Sequence, residues 1–277
     1  MEWLRKITAV VLCAALLAVT LMANTGAPAT PEIYVDGRRT DLKGLSYLVD
    51  GTAYVPLREV SEALGATIVA WDPTIQTAQV EGRGITIAVT LGEKYMTVNG
   101  RYFYLPEGCG LREGACMVPV RYLAKAFGAS VSWDGQACRV AVSRAGVPLL
   151  SGDQFYNADE VYWLSRIIEA EAGNQPLEGR IAVGNVILKR VESGEFPGTV
   201  KGVIFDTRSG VQFTPAYSGA IYNTPSETSV IAAKLALEGT DIAGESLYFA
   251  AAYLARSCWA GRNRERFGQI GDHVFFI

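Results

Sequence analysis

The sequence has little histidine and little charge. Its 277 residues include a single histidine, His273, and 19% charged residues, with 25 basic and 28 acidic side chains and a net charge of −3. One imidazole excludes metal centres that need two or three histidines, such as zinc hydrolase sites or three-histidine copper sites. The near balance of charge argues against nucleic-acid binding. We therefore expect no metal, no cofactor and no nucleic-acid partner.

The N-terminal segment has the pattern of an export signal. Arg5 and Lys6 precede an almost wholly apolar run over 7–23, which is followed by small and turn-forming residues. The run is short for a membrane span, which usually needs ~20 residues. We predict a signal peptide over 1–29, cleaved near Ala23 to Ala29, and a secreted protein. An uncleaved N-terminal membrane anchor is the alternative.

Export bears on the thiols, because disulfides persist outside the cytosol. Cys109 and Cys116 are close enough in sequence for a disulfide between them to close a short loop. Their spacing is not a metal-ligand pattern. One disulfide or unpaired buried thiols are both compatible with this spacing. We assign the cysteines no chemistry.

The first half of the chain contains an internal repeat. Motifs at 35–38, 55–58 and 65–66 recur at 98–101, 118–121 and 128–129, and Trp71-Asp72 recurs as Trp133-Asp134. Asp-Gly and Asn-Gly predict hairpin turns. Helical spacing follows each Val-Pro-x-Arg, and Gly65 and Gly128 stand where helix C-caps belong. Each unit is predicted to form a strand, a helix and a hairpin.

This repeat resembles the copper amine oxidase N-terminal-like domain over 31–143. The resemblance implies a non-catalytic wall-targeting or interaction module of an exported protein. The segment contains no histidine, so it lacks a ligand set for copper.

The segment 144–155 is the predicted linker, because it contains Gly146, Pro148 and Gly152 and has no periodicity. A domain over 156–277 follows. Its first predicted helix is capped by Asn157 or Asp159 and ends near Ala172, and its second spans about 177–191.

Glu171 is the candidate catalytic residue of this domain. Leu164, Ile167, Ile168 and Glu171 lie at i, i+3, i+4 and i+7, whereas Glu169 is rotated ~200° away from that stripe. A carboxyl group against apolar surface has a raised pKa, which a general acid requires. The alternative is that Glu171 emerges into water at the helix end.

Six motifs in order resemble the spore cortex-lytic and cell-wall hydrolase family typified by SleB and CwlJ, over about 156–277. They lie at 167–172, 178–191, 196–197 together with 202–204, 212–213, 247–249 and 270–275. The resemblance implies cleavage of peptidoglycan glycan strands, a lysozyme-like or lytic-transglycosylase-like helical core and a catalytic glutamate at Glu171. The family commonly has Arg-Gly-Glu where this chain has Gly173-Asn174-Gln175, and many members have asparagine at Ala250.

The chemistry favours a transglycosylase. Hydrolysis of a glycosidic bond normally uses a second carboxylate, and none stands out, because the other acidic residues fall on apparent helix surfaces, at caps or in turns such as Asp206. A lytic transglycosylase needs one carboxylate, because the C6 hydroxyl of muramic acid attacks its own anomeric carbon. Muramidase hydrolysis is the close variant, and a non-catalytic wall-binding scaffold is the alternative.

Four further residues are candidate substrate contacts. Gln212 offers amide hydrogen bonds, and Tyr248 offers a ring and a hydroxyl. Phe213 is equally suited to core packing, and a structural hydrogen-bonding role is favoured for His273. Four arginines form a basic stretch that is either a solvated loop or a substrate-facing edge: Arg256, Arg262, Arg264 and Arg266.

The sequence as a whole predicts an α+β protein. A duplicated small α+β module precedes a mainly helical domain with short β-hairpins. The expected partner is peptidoglycan, in the cell wall or the spore cortex, and an accessory protein is an open alternative. The expected location is outside the cell, at the wall or the spore envelope.

Overall fold

A computed structural model describes residues 30–277 except 145 and 148. The predicted signal peptide, 1–29, therefore lies outside the described residues. In the described part of the chain, no helix has the length and apolarity needed to cross a bilayer.

Residues 32–144 form short strands and two helices. The helices are α1 (Leu57–Ala63) and α2 (Val120–Ala126). The strands are β1 (Glu32–Val35), β2 (Arg38–Arg39), β3 (Tyr47–Val49), β4 (Thr52–Pro56), β5 (Ile68–Asp72), β6 (Thr77–Gly82), β7 (Ile85–Thr90), β8 (Tyr95–Val98), β9 (Arg101–Tyr104), β10 (Gly110–Arg112), β11 (Ala115–Pro119), β12 (Ala129–Asp134) and β13 (Arg139–Arg144).

The two predicted repeats are intertwined in this part of the fold. The sheet orders are β12-β13-β1-β2, β10-β11-β4-β3 and β5-β6-β7-β8-β9, so each unit completes a sheet of the other. Val55 of β4 lies opposite Val118 of β11, its counterpart in the repeat, which indicates a local two-fold axis between these strands. Both valines are fully buried in one shared core. Neither repeat therefore has a complete core of its own.

Both predicted helix C-caps are confirmed. Gly65 and Gly128 follow α1 and α2 with φ of +100° and +64°, in the left-handed region that glycine occupies without strain. A Cβ atom at Gly128 would lie 2.5 Å from the carbonyl oxygen of Val147. The second glycine is therefore also required by a close approach of the following segment.

The predicted thiol pair lies beside one hairpin of this module. Cys109 immediately precedes β10, and Cys116 lies in β11. Their Sγ atoms are 2.9 Å apart and carry no disulfide in this structure. The two thiols thus lie close together across the loop, as their spacing suggested.

The C-terminal part is mainly helical, as predicted. A short helix, α3 (Gly152–Phe155), lies within the predicted linker. The larger elements are α4 (Ala158–Ala172), α5 (Leu177–Ser193) and α8 (Glu227–Leu237). The smaller ones are α6 (Val200–Ile204), α7 (Pro215–Ser218), a 3₁₀ turn (Ala220–Tyr222), α9 (Trp259–Asn263), β14 (Tyr248–Ala251), β15 (Arg266–Ile270) and β16 (His273–Phe276).

Helices α4, α5 and α8 pack together and build the second core. The side chain of Asn157 accepts hydrogen bonds from the amides of Asp159 and Glu160, which confirms the predicted start of α4. The stripe of Leu164, Ile167 and Ile168 is fully buried against the other two helices. Strands β14, β16 and β15 form an antiparallel sheet beside this core. The predicted α+β class is confirmed.

A buried ion pair joins the two parts of the chain. The Arg101 guanidinium, at the start of β9, donates to the Glu238 carboxylate at the end of α8, with an Nη2–Oε1 distance of 2.6 Å. The two side chains are 6% and 3% exposed. The Arg101 guanidinium carbon also lies 3.4 Å from the ring centre of Phe155. Such a desolvated pair fixes the relative position of the elements that carry it.

Contacts from β9, and from Lys94 just before β8, extend this interface. The Tyr104 hydroxyl donates to Glu178 at the start of α5, and Lys94 forms an ion pair with the same carboxylate. The backbone amide of Tyr102 donates to the Tyr156 hydroxyl at 3.0 Å. The second repeat therefore supplies a docking surface for the helical domain.

Arg101→Ala is expected to lower the free energy of unfolding by about 3 kcal/mol, because it leaves the Glu238 carboxylate buried with its main partner removed. The matched control is Arg38→Ala, the counterpart of Arg101 in the first repeat, which is exposed. This control should change stability by less than about 0.5 kcal/mol. Chemical denaturation followed by tryptophan fluorescence measures both. Equal effects of the two substitutions would contradict the assigned role of the ion pair.

Candidate active site

One cleft contains the candidate catalytic residue and the four candidate substrate contacts named from the sequence. It has a volume of about 960 Å³ and lies between the end of α4, the segment 195–213, β14 and α9. Five predicted residues line it: Glu171, Gln212, Phe213, Tyr248 and His273. They come from separate segments that only the folded chain brings together.

Glu171 lies in the last turn of α4, at the end of the apolar stripe. Its carboxyl group is partly buried and has no hydrogen-bond or ion-pair partner among the described residues. Burial alone raises the pKa of Glu171 to about 7. The alternative, free emergence into water, is wrong. Near neutral pH this carboxyl group can therefore both donate and accept a proton.

Glu169 has the opposite environment, two residues away. Its carboxylate accepts hydrogen bonds from the Ser226 hydroxyl at 2.5 Å and from the Ser226 amide at 3.1 Å, and pairs with Arg180 at 3.4 Å. Partial burial opposes ionisation, but these hydrogen bonds and the guanidinium outweigh it and lower the pKa of Glu169. Glu169 therefore fastens α4 to the start of α8 and stays outside the cleft.

His273 and Phe213 form part of an aromatic wall. Phe213 is 2% exposed and packs against Phe249, while the His273 ring stands edge-on to Phe249 at 5.3 Å between centroids. Burial lowers the pKa of His273, so its ring is neutral near pH 7. Its Nδ1 has no hydrogen-bond partner in the described structure. The structural hydrogen-bonding role favoured for His273 therefore does not hold for Nδ1, and the ring packs instead.

Gln212 and Tyr248 present polar groups to the cleft. The Gln212 amide nitrogen donates to the carbonyl oxygens of Gly210 at 3.2 Å and Ser209 at 3.4 Å, which orients the half-buried side chain. The Tyr248 hydroxyl accepts from Arg264 Nη2 at 3.2 Å. Both residues can therefore offer hydrogen bonds to a ligand.

Sequence reasoning missed two carboxylates of the cleft, Glu195 and Asp206. The Asp206 oxygens accept from Arg208 Nε and Nη2, both at 3.0 Å, and these hydrogen bonds lower the pKa of Asp206. Glu195 is exposed at the rim. The position of Asp206 in a turn, noted from sequence, gave no indication that this turn lines the same cleft as Glu171.

Arg190 and Trp259 were also missed. Arg190 is 4% exposed and lies on α5, one turn after the buried Ile187. A charged residue on a buried stripe was the signal that could have identified it. Trp259 is 53% exposed, and nothing in its local sequence marks it as a cleft residue.

The departures from the family pattern have different consequences. Gln175 is 5% exposed and outside the cleft lining. Its amide donates to Asp272 at 3.1 Å, and its carbonyl oxygen accepts from the Asp272 amide at 2.8 Å. Gln175 therefore holds the end of α4 to the β15–β16 turn. Ala250, in contrast, lines the cleft and presents a methyl group there.

Comparison with known families matches both parts of the chain. The model described as copper amine oxidase N-terminal domain matches 34–142, and the model described as cell wall hydrolase matches 174–276. The second match begins after Glu171. The chain shares 38% identity over 120 residues with a spore cortex-lytic enzyme of Bacillus cereus, covering 43% of this chain and 45% of that enzyme. Residues 174–276 of this chain therefore belong to the cell wall hydrolase family.

Other similar proteins match a comparable share of the chain. A spore cortex-lytic enzyme of Oceanobacillus iheyensis is 35% identical over 130 residues, which are 47% of this chain and 46% of that enzyme. The crystal structure of the Bacillus cereus SleB catalytic domain is 37% identical, with a TM-score of 0.40, and the match covers 44% of this chain and 92% of that one. The chain spans just under half the length of the first curated relatives that it matches.

The copper named in the first family does not fit the residues of this module. The part that matches the family contains no histidine. Among the described residues, no group of three or more histidine, cysteine, aspartate or glutamate side chains is placed to hold a metal ion.

Glu171→Gln is expected to stabilise the fold above pH 7. Between about pH 4.5 and 7 the unfolded chain loses the Glu171 proton before the folded chain does, so the stability of the unsubstituted protein falls as pH rises. Glutamine does not titrate. The free energy of unfolding of the variant should therefore exceed that of the parent by up to about 3 kcal/mol above pH 7. Below pH 4.5 the two should be equal. Urea denaturation across this range measures the difference.

The control for this measurement is Glu192→Gln, at an exposed position on α5. It should change stability by less than about 0.5 kcal/mol. A Glu171→Gln variant whose stability relative to the parent is the same at pH 4.5 and pH 8 would show that this carboxyl group is not buried.

Proposed function

We propose that this protein cleaves the glycan strand of peptidoglycan as a lytic transglycosylase, with Glu171 as acid and then base. The observation that carries the proposal is the unpaired, desolvated Glu171 carboxyl group in a cleft large enough for several sugar units. The sequence relatives described as spore cortex-lytic enzymes favour this substrate. The C-terminal domain, proposed to span 156–277, would carry the reaction.

The reaction needs one proton carrier. Protonated Glu171 donates its proton to the glycosidic oxygen as the bond between the muramic acid C1 and that oxygen breaks. The positive charge that develops on the sugar ring is relieved when the muramic acid O6 attacks C1. The C6 hydroxyl proton passes to the Glu171 carboxylate. The products are a 1,6-anhydro-muramic end and a free 4-hydroxyl, and the enzyme returns to its starting protonation state.

The environment of the other carboxylates supports the single-carboxyl route. Both Asp206 oxygens are engaged by Arg208, which leaves this group weakly basic. Glu195 is solvent-exposed and not held by another side chain in the described structure. Neither is held as a positioned base for a water molecule. Muramidase hydrolysis would require one of them to take that role.

The proposed location is the cell wall or the spore envelope, with peptidoglycan as the partner. The N-terminal module, proposed to span 31–143, would contribute to wall association. The buried Arg101–Glu238 pair holds that module against the helical domain. We therefore propose that the module and the cleft meet the wall as a single unit. An accessory protein and an exported N-terminus stay predictions.

Glu171→Gln is expected to reduce the clearing of purified walls and decoated spores by about a hundredfold or more, because the general acid is lost. A turbidity assay measures this, and Glu192→Gln should clear like the parent protein. Equal clearing by Glu171→Gln and the parent would remove Glu171 from the mechanism. If the parent clears neither substrate, the protein is a wall-binding scaffold.

The dependence of the rate on pH, measured together with the products, separates the two chemistries. Because Glu171 must be protonated to start the reaction, kcat/KM should fall as pH rises through about 7. For a single-carboxyl transglycosylase, kcat/KM should not fall again near about pH 4. Hydrolysis with an ionised Asp or Glu base should show that fall, because the base becomes protonated there. Mass spectrometry should find 1,6-anhydro-muramic ends. Reducing ends without the anhydro form would show hydrolysis.

A further inference from the structure

Two guanidinium groups lie against the same tyrosine of the cleft. The central carbon of Arg190 is 5.3 Å from the Tyr248 ring centre, and that of Arg264 is 5.0 Å from it. Arg264 also donates to the Tyr248 hydroxyl. Both arginines line the cleft that contains Glu171. Tyr248 thus lies in a strongly cationic part of the cleft wall.

Arg190 is a buried cation that forms no ion pair with a described carboxylate. Its Nε donates to the carbonyl oxygen of Leu247 at 2.7 Å, whereas its Nη1 has no hydrogen-bond partner in the described structure. The rings of Phe196 and Phe213 lie 4.7 and 5.3 Å from the guanidinium carbon. These rings stabilise the cation through their faces, but they carry no negative charge. Burial accordingly lowers the pKa of Arg190 to about 10.

Arg264 is the exposed member of the pair. It is the one arginine of the basic stretch over 256–266 that lines the cleft, and it lies 5.4 Å from the ring centre of the exposed Trp259. No described carboxylate forms an ion pair with it. Arg208, in the same cleft, is already paired with Asp206. The uncompensated positive charge of the cleft is therefore concentrated around Tyr248.

We propose that Arg264 and Arg190 form a site for a carboxylate of the substrate strand, and that Trp259 stacks on the adjoining sugar. The inference rests on the proposed cleavage of peptidoglycan and names the group that this part of the cleft recognises. Two carboxylates of peptidoglycan have this chemistry, the lactyl carboxylate of an unsubstituted muramic acid and those of the stem peptide. A neutral N-acetylglucosamine polymer has neither.

The physical reason is charge complementarity in a partly desolvated place. A guanidinium binds a carboxylate through two parallel hydrogen bonds, which fixes its orientation as well as its position. Arg190, held in low dielectric, adds attraction that bulk water screens weakly. Among the described carboxylates, Asp206 attracts Arg190 without forming an ion pair with it, so an incoming carboxylate would supply the direct counter-charge.

The test measures binding in the absence of turnover. Every protein carries Glu171→Gln, and the ligand is insoluble peptidoglycan freed of teichoic acids, with its carboxylates either native or converted to amides. Adding Arg264→Gln should weaken co-sedimentation with native peptidoglycan about three- to tenfold. On the amidated material the substitution should have no effect, because the parent has already lost this contact. Arg264→Lys should retain part of the affinity.

The matched control is Arg262→Gln, which removes an exposed arginine of α9 that does not line the cleft. It should bind both materials like the parent. Strands stripped of stems by an amidase identify the source. If Arg264→Gln still weakens binding to the stripped strands, the site binds the lactyl carboxylate. If it weakens binding only to the intact material, the site binds a carboxylate of the stem peptide.

Two results would overturn the inference. One is equal binding of native peptidoglycan with and without Arg264→Gln. The other is the same loss of affinity on amidated and native material, which would indicate an uncharged contact. Because all these proteins carry Glu171→Gln, absence of cleavage by the parent protein would refute the proposed function without changing this binding result.

Discussion

Desolvation of one carboxyl group is the constraint on which the candidate site depends. The apolar stripe of α4 packs against α5 and α8, and Glu171 continues that stripe to the edge of the cleft. The same packing that stabilises the helices therefore removes water from the carboxyl group. Glu169, two residues earlier, is held by Ser226 and Arg180 instead. Helix geometry places the two carboxyl groups in different surroundings, and these surroundings raise the pKa of Glu171 and lower that of Glu169.

The charges of the molecule divide into compensated and uncompensated groups. Arg101 and Glu238 satisfy each other at the junction of the two parts, and Arg208 satisfies Asp206 in the cleft. Arg190, Arg264 and Glu171 have no such partner in the described chain. All three line the same cleft. The groups left for a substrate are thus concentrated where the reaction is proposed to occur.

The duplicated module shows how a repeated motif acquires different roles. Arg38 is exposed in the first repeat, whereas Arg101, at the equivalent position, forms the buried pair with Glu238. Both arginines follow a turn of Asp-Gly or Asn-Gly type with positive φ at the two turn residues, so the two copies share the same local backbone conformation. The difference arises from what packs against the turn. The second copy is therefore part of an interface, and the first is surface.

The sequence by itself determined the capped helix from Asn157, the glycine C-caps and the α+β class, because these follow from spacing along one chain segment. Spacing placed Glu171 on the apolar stripe but left open its emergence into water, and the family resemblance favoured it as the catalytic candidate. Only the tertiary structure decided what surrounds that carboxyl group. Glu195, Asp206, Trp259 and Arg264 reach the cleft from loops and short elements that carry no periodicity. Their positions depend on long-range packing, which local sequence patterns do not encode.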